Sequence, residues 1–463
     1  MRVPQTAPSL AKLFDRSVDA ALFAKILDAP SATLPDGRYL HWNELRHRDP
    51  PPGWTREMWW LGMKFRRSCK AQAIEAMKRV YGAGFEFVAL AEVQRKLHEF
   101  DRVNVGREIL SALGDPDAQR EYRLRQLVEE AISSSEIEGA RPTTRDIARQ
   151  MLRERREPTS LDERMIANNW RAMERLRELH VARTPLTLEH LLELHRILGE
   201  GALEVPDAAG RFRTPEHKVA VTDADGTIWH YPPDANGLRE RMTQLLAFAN
   251  GESAAEEAFV HPIVRAIVCH FWLAYEHPFR DGNGRMARAL FYWCMLRHDY
   301  EVAEFLSISG PIDRRRKAYY LAFAHVETDA GDLTYFVLHQ LEVMRIALDE
   351  LLQHVKQRAE RLRELSSLVA AYDELNHRQR SLLQHAIRHA EQGQTIEGHA
   401  SSHGVHYLTA RKDLNDLEQR KLMRSRKVGK LKRYYAAQSL VGKSRRIGRG
   451  GSARRAHGVS AKQ

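Results

Sequence analysis

The chain is poor in cysteine: Cys69, Cys269 and Cys294 are its only three in 463 residues, and no two lie close together. That spacing excludes a disulfide framework and a zinc ribbon. Cys269 and Cys294 fall inside apolar runs, where a thiol packs as a small hydrophobe. Long apolar runs are missing too. No stretch approaches the roughly 20 apolar residues of a membrane helix, so a membrane partner is excluded. The opening MRVPQTAPSLAKLFDRS lacks the continuous apolar core of a signal peptide. The expected setting is cytoplasmic. Acidic residues are absent from 422–463, which hold 13 Lys and Arg. The rest of the chain holds 59 basic and 61 acidic groups, so the basic excess is entirely C-terminal. An anionic partner is expected for that end alone.

What is present is mostly helical periodicity, over a length that suggests about two to four domains. Helices are predicted near 9–28, 55–82 and 84–112. Four of the eight tryptophans lie between Trp42 and Trp60 and read as an N-terminal core. Within them Asp49-Pro50-Pro51-Pro52-Gly53 cannot be helical, because proline lacks the amide hydrogen. Gly114-Asp115-Pro116 breaks the chain. Leu124, Leu127, Val128, Ala131 and Ile132 then recur at helical spacing, in a helix that Gly139 can end. More helices are predicted at 142–154, 160–180, 187–199, 236–250, 255–276, 284–297, 312–327 and 331–366. Those at 255–276 and 284–297 are apolar almost all round and should be buried. Lys218–Val221 and Thr227–Tyr231 flank Asp223-Ala-Asp-Gly226 like the strands of a hairpin. Trp229 and His230 are candidates to meet a ligand there.

From 377 the order is helix 377–391, helix 395–403, a turn at Gly404, helix 406–421 and a basic hairpin around Gly429. This is a winged helix-turn-helix order. Leu408, Leu414 and Leu417 should pack inward. Thr409, Arg411 and Lys412 should face a groove. Arg424, Arg426, Lys427, Lys430, Lys432 and Arg433 could neutralise phosphates. His385 with His389, and His399 with His403, have the i, i+4 spacing of zinc ligands. Nothing completes either site, so they read as surface histidines. The Gly/Ser/Arg-rich tail should be disordered.

The segment His277-Pro-Phe-Arg-Asp-Gly-Asn-Gly-Arg-Met-Ala-Arg288 concentrates the chemistry. Gly282-Asn283-Gly284 opens a helix whose first amides and dipole suit a phosphate. Arg285 and Arg288, three apart, can clamp further phosphate oxygens. Asp281 is a hard oxygen ligand where Mg²⁺ would need one. His277 can take a proton from a hydroxyl near neutral pH.

This segment resembles the Fic-family signature, His-x-Phe-x-Asp/Glu-Gly-Asn-Gly-Arg-x-x-Arg, at every defined position. The resemblance in helix order extends over about 113–345. It implies a mainly α fold: a Fic helical core with a β-hairpin flap, an N-terminal helical domain and a C-terminal winged helix-turn-helix. The expected boundaries are 1–112, 113–345, a connecting helix 346–368, 369–438, and a basic tail 439–463. The resemblance is to protein adenylyltransferases. The related Doc-like kinases typically carry Lys where this chain has Gly284. It implies AMP transfer from Mg-ATP to a hydroxyl of a target protein and of the chain itself. His277 would be the base and Phe279 a buried anchor. Asp281 would hold Mg²⁺, and Gly282, Asn283 and Gly284 the α-phosphate. Arg285 would hold the β-phosphate and Arg288 the γ-phosphate. The flap, with Val219, Val221, Ile228 and Trp229, would align the target segment by main-chain pairing.

Ser134-Ser-Glu-Ile-Glu138-Gly139 is similar to the family's inhibitory motif, Ser/Thr-x-x-x-Glu-Gly/Asn, and lies N-terminal to the core. A Glu138 carboxylate on Arg288 would occupy the group meant for the γ-phosphate. Ser134, Glu138 and Gly139 are therefore the expected brake. In some relatives the same Glu positions water to remove AMP. A second function stays open: a DNA-binding regulator whose core senses nucleotide or removes AMP. The sequence also leaves open DNA or protein as the partner of the C-terminal domain, and a homodimer.

Overall fold

The computed structural model describes residues 3–11, 20–29, 31–81, 84–105, 116–141, 145–222, 225–252, 259–428 and 431–442. The chain divides into two compact units, Met1–Leu351 and Leu352–Gln463.

The first unit opens with α1 (Ala20–Leu27), α2 (Trp42–Leu45), α3 (Arg56–Ser68), β1 (Ala71–Ala73), α4 (Glu75–Tyr81), β2 (Glu86–Val88) and α5 (Ala91–Val105). There follow α6 (Pro116–Ile137), α7 (Arg145–Glu154), α8 (Leu161–Val181) and α9 (Leu188–Gly199). After the short strands β3 (Val221–Thr222) and β4 (Ile228–His230) come α10 (Leu238–Asn250), α11 (Pro262–Glu276) and α12 (Asn283–Arg297). The unit continues with α13 (Ser309–Arg314), α14 (Arg316–Thr328) and the first part of α15 (Thr334–Ala370). Local chemistry sets several starts. Thr55, Ser160 and Thr187 accept amide bonds at the heads of α3, α8 and α9. Pro262 opens α11, where its missing N–H costs nothing.

The helix pair α11 and α12 is the centre of this unit, as expected. Ile263, Val264, Phe271, Trp272, Leu273, Phe291, Trp293 and Met295 on them are buried. The loop between the two helices is thereby held on a rigid base.

Several expected elements differ. The helix expected at 55–82 is broken by β1, which pairs antiparallel with β2. Ala71-Gln72-Ala73 has no strand-favouring side chain; the pairing is tertiary, with Glu86 N also donating to Gly331 O at 3.2 Å. The first helix is seen only at 20–27, since 12–19 lie outside the described residues. The helix expected at 255–276 starts at Pro262, and 253–258 are likewise outside. The expected 312–327 helix is two, broken at Arg315. Leu124 is 42% exposed despite its helical spacing with buried neighbours. The flap strands are shorter than 218–221 and 227–231, and their turn at Asp223 and Ala224 is outside the described residues.

Residues 1–112, expected as a separate domain, share a unit with the core. Buried polar bonds explain why. Arg67 donates to Ala32 O, Leu40 O and Tyr335 Oη, each at 2.9 Å. Lys64 pairs with Asp329 at 2.9 Å. Trp60 is fully buried and donates to Pro8 O at 2.9 Å, so the tryptophan region is core rather than a ligand cage.

The second unit holds α16 (His377–Arg388), α17 (Ile396–His403), α18 (Tyr407–Gln419) and the antiparallel pair β5 (Met423–Val428) and β6 (Leu431–Ala436). Leu383, Leu414, Leu417 and Tyr434 are among the residues that fill its core. Leu408 does not pack inward: it is 64% exposed, on the face of α18 opposite Ala410, Leu414 and Leu417. His399 is buried, not a surface residue, and contacts the Asp413 carboxylate at 3.3 Å. Gly429, Lys430 and the tail from 443 lie outside the described residues.

Candidate functional site

His277 caps the C-terminus of α11 in the left-handed region, with φ 47° and ψ 57°. This turn swings the chain from the helix into the loop. The ring is half-buried, and burial pushes its pKa down to about 4. It is therefore an uncharged imidazole at neutral pH, able to accept a proton. Phe279 is fully buried beneath the loop, as its expected anchoring role requires.

Asn283 closes the loop. Its Oδ1 accepts from Phe279 N and its Nδ2 donates to Phe279 O, both at 2.9 Å. The side chain of Asn283 is thus engaged within the loop, and its backbone N–H at the head of α12 is the donor it offers a phosphate. Gly282 starts α12 from the left-handed region, φ 76°, which a side chain would strain. The first turn of α12 then offers the amides of Asn283, Gly284 and Arg285.

Arg285 is fully buried, and donates from Nη1 to Leu198 O at 3.2 Å. Its Nε and Nη2 are buried without a hydrogen-bond partner among the described residues. The carboxylate oxygen Oδ2 of Asp281 lies 4.0 Å from Nη2. A buried guanidinium with bare donors is costly unless an anion meets it, and burial holds its pKa below the usual arginine range. Asp281 itself is half-exposed, and its Oδ1 accepts from Gly282 N at 2.5 Å. Its second oxygen is open to a cation. No group of three or more His, Cys, Asp or Glu suited to a metal occurs among the described residues. A single carboxylate completed by phosphates and water is the pattern that suits Mg²⁺.

Arg288 is also fully buried, and its contacts are filled from α6. Nε donates to Ser134 Oγ at 2.8 Å, and Nη2 donates to Ser134 O at 2.8 Å. Nη2 also pairs with Glu138 Oε1 at 3.0 Å, while Nη1 has no hydrogen-bond partner among the described residues. The sequence-predicted pair, separated by 150 positions, is thus in direct contact. Gly139 follows the helix at φ 101°, a conformation that favours glycine. At Gly284 an added Cβ would run into Glu138 Oε1, so the carboxylate lies directly over the helix start.

Residues 185–295 match the model of the Fic/DOC family. This stretch is a Fic domain. Curated relatives include "Protein adenylyltransferase Fic" of Nematostella vectensis, 35% identical over 113 residues, 24% of this chain and 23% of the relative. "Protein adenylyltransferase fic-1" of Caenorhabditis elegans is 33% identical over 153 residues, 33% of this chain and 26% of the relative. The chain therefore spans about a quarter of the length of these relatives. Among solved structures, a Fic family protein from Desulfovibrio desulfuricans G20 aligns at 21% identity with a TM-score of 0.49. It covers 75% of this chain and 95% of that one.

The flap beside the Fic domain's loop is less open than expected. Val219 lies outside the strands, half-buried, and Val221 is half-buried at the start of β3. Ile228 is 40% exposed. Trp229 and His230 are buried and not free to meet a ligand. His230 Nε2 donates to Tyr275 O at 2.7 Å, and Nδ1 contacts Glu327 Oε2 at 2.8 Å, pinning the flap to the end of α11.

Three working residues carry no sequence signal. His195 and Arg213 bond to carbonyl oxygens of the loop. Glu130 on α6 is buried and accepts from Tyr292 Oη at 2.8 Å, Ser307 Oγ at 2.9 Å and Ser309 N at 3.0 Å, and from Ser309 Oγ. It seats the helix that carries Ser134 and Glu138.

Proposed function

We propose that this protein transfers AMP from Mg-ATP to a hydroxyl of a protein target, itself included, and that Glu138 holds the reaction off at rest. The observation that carries the reading is the state of the two arginines of α12. Arg285 presents bare buried donors, and Arg288 is held by Ser134 and Glu138.

Neutral His277 takes the proton of the target hydroxyl. The freed oxygen attacks the α-phosphorus, a P–O bond to AMP forms, and the bond to the β-phosphate oxygen breaks. Pyrophosphate leaves with its electron pair. The amides of Asn283 and Gly284 face the charge growing on the α-phosphate, a preorganised electrostatic effect. Arg285 meets the β-phosphate. Arg288 meets the γ-phosphate only after Glu138 leaves. Asp281 would hold Mg²⁺, which supplies charge neutralisation across the phosphates. Phe279 and Asn283 keep the loop in shape. With Glu138 in place the triphosphate is displaced from in-line geometry.

The test uses labelled ATP and Mg²⁺. Glu138→Gly should raise self-modification at least about tenfold over wild type, on the order of the rate change one lost charged contact produces. His277→Ala in that background should abolish it while the protein stays folded. Equal labelling by wild type and Glu138→Gly would refute the brake, and full labelling by His277→Ala would refute the base. The same Glu138 could position water for AMP removal; loss of de-modification in Glu138→Gly would favour that role.

A second reading, duplex DNA as the partner of the second unit, is favoured by the charges of α18. Each of its carboxylates is engaged internally. Asp413 pairs with Arg378 at 2.8 Å, Asp416 with Arg420 at 3.0 Å, and Glu418 with Lys432 at 2.8 Å. Thr409, Arg411 and Lys412 are exposed on α18, and Arg424, Arg426 and Lys427 are exposed on β5. The full chain should bind a labelled duplex with affinity that falls steeply between roughly 50 and 200 mM salt. Reversing charge at Arg411 and Lys412 together should weaken it about tenfold, while leaving the basic tail intact. No binding at low salt would dismiss DNA in favour of a protein partner.

A further inference from the structure

The two chemical ends of the loop, His277 and Asp281, are each tied to a residue outside it. Arg213 is buried. Its Nε donates to His277 O at 2.9 Å, and its Nη2 donates to Glu276 O at 3.1 Å and to Pro233 O. Its own amide donates to Pro278 O at 2.9 Å. One of these bonds falls on His277, the residue held at φ 47°, and two more on its neighbours Glu276 and Pro278. A non-glycine residue in that region is strained and persists only where its surroundings over-determine it. Arg213 supplies that constraint through the backbone carbonyl; the ring donates from Nδ1 to Ala274 O at 3.3 Å, which leaves Nε2 for the reaction.

At the other end, His195 is fully buried and stacks on Phe279 with ring centres 3.7 Å apart and planes at 7°. Gly210 N donates to its Nδ1 at 2.9 Å. A backbone amide can only donate, so Nδ1 is bare and the ring proton sits on Nε2. Nε2 therefore donates to Asp281 O, 2.9 Å away. This bond fixes the peptide plane between Asp281 and Gly282, and with it the aim of the carboxylate and the start of α12. Gly210 adopts φ 71°, and a Cβ there would press on Leu192 O at 3.0 Å. Phe212 lies 5.5 Å from the Phe279 ring. Residues Gly210-Arg211-Phe212-Arg213 thus run along the back of the loop from one end to the other.

We propose that Gly210–Arg213 and His195 form a cradle that holds the two ends of the loop independently, Arg213 positioning His277 and His195 positioning Asp281. The roles of those two ends rest on the AMP-transfer reading. The test uses the full chain with Glu138→Gly, so that turnover is measurable. Arg213→Met should lower kcat about a hundredfold, as a misplaced reacting group does, with the affinity for a fluorescent ATP analogue little changed. Arg213→Lys, which keeps the charge and one donor, should fold well and lose less. His195→Leu should raise the Mg²⁺ needed for half-maximal transfer about tenfold, as loss of a ligand's supporting bond does, with kcat at saturating Mg²⁺ largely kept. His195→Gln, which keeps a donor near Nε2, should restore the wild-type requirement.

Amide hydrogen exchange gives a readout that needs no turnover. Arg213→Met should loosen 276–279, and His195→Leu should loosen 281–283. If both variants lose kcat, Mg²⁺ response and melting temperature alike, and loosen the whole loop alike, the two residues are merely structural and the proposal is overturned. If the Glu138→Gly parent transfers no AMP, the AMP-transfer reading fails. Exchange at two separate ends then still supports the cradle, and uniform exchange overturns it.

Discussion

At Gly284 a side-chain carbon would meet both the Glu138 carboxylate and, at 3.1 Å, Arg288 Nη1. In the proposed reaction the glycine serves two states. It leaves the amides at the head of α12 open to a phosphate, and it leaves room for the carboxylate that takes the phosphate's place. The two uses can be separated energetically. Gly284→Ala should destabilise the wild-type chain by roughly 1–3 kcal/mol, the usual cost of overpacking. In a Glu138→Gly background the severest collision is gone, only Arg288 Nη1 at 3.1 Å remains, and the cost should fall. A double-mutant cycle by denaturant unfolding reads the difference. Additive costs in the two backgrounds would show that Glu138 does not press on this position.

Among the elements, α6 stands out because its seat is polar. Glu130 meets Tyr292, Ser307 and Ser309 in the buried interior, two helical turns from Glu138. Glu130→Ala should cost at least about 3 kcal/mol, since several buried donors lose their acceptor together. It should also raise basal AMP transfer, though less than Glu138→Gly does, because the helix is loosened and not disarmed. Equal melting temperature and equal basal activity would count against this seating role. The loop and the helix end that meet at Arg288 were legible in the sequence because each lies in one short run, from His277 to Arg288 and from Ser134 to Gly139. The central helices α11 and α12 were legible because they are apolar on all sides. His195, Arg213 and Glu130 were not, because each acts on groups far away in sequence and none has a telling spacing. The β1–β2 pair escaped for a related reason: Ala71-Gln72-Ala73 is extended because of its neighbours, not its composition. Leu408 misled because its spacing from Leu414 and Leu417 does not place it on their face of α18.

Over the whole first unit, burial has left several histidines uncharged. Burial pushes His41 down to about 2, and His195, His277, His325 and His339 each to about 4. His41 and His325 stack at 4.3 Å where the N-terminal region meets α14. In the unfolded chain such rings titrate near 6.5. Between about pH 6.5 and 4 the unfolded state therefore binds more protons than the folded one. The stabilisation is fully present above pH 6.5 and is lost as pH falls toward 4. Thermal melts should show a steady drop in melting temperature over that window, and a flat profile from pH 7 to 5 would contradict it. His41→Phe, which keeps a ring and removes the proton site, should flatten part of the slope. No described helix is long and apolar enough to cross a membrane.

The burial of Arg288 has a quantitative consequence for a cell. The guanidinium exposes almost no surface, so nothing can engage it except a group already inside the site. In the proposed reaction Glu138 and the end of a triphosphate exclude one another at this single seat. The concentration of ATP that half-fills the productive pose is the intrinsic dissociation constant divided by the fraction of molecules with that seat vacant. The strength of one ion pair thereby sets a dose threshold. A chain with a tighter Glu138 contact would ignore ordinary ATP levels, and a chain with a looser one would follow their rise and fall.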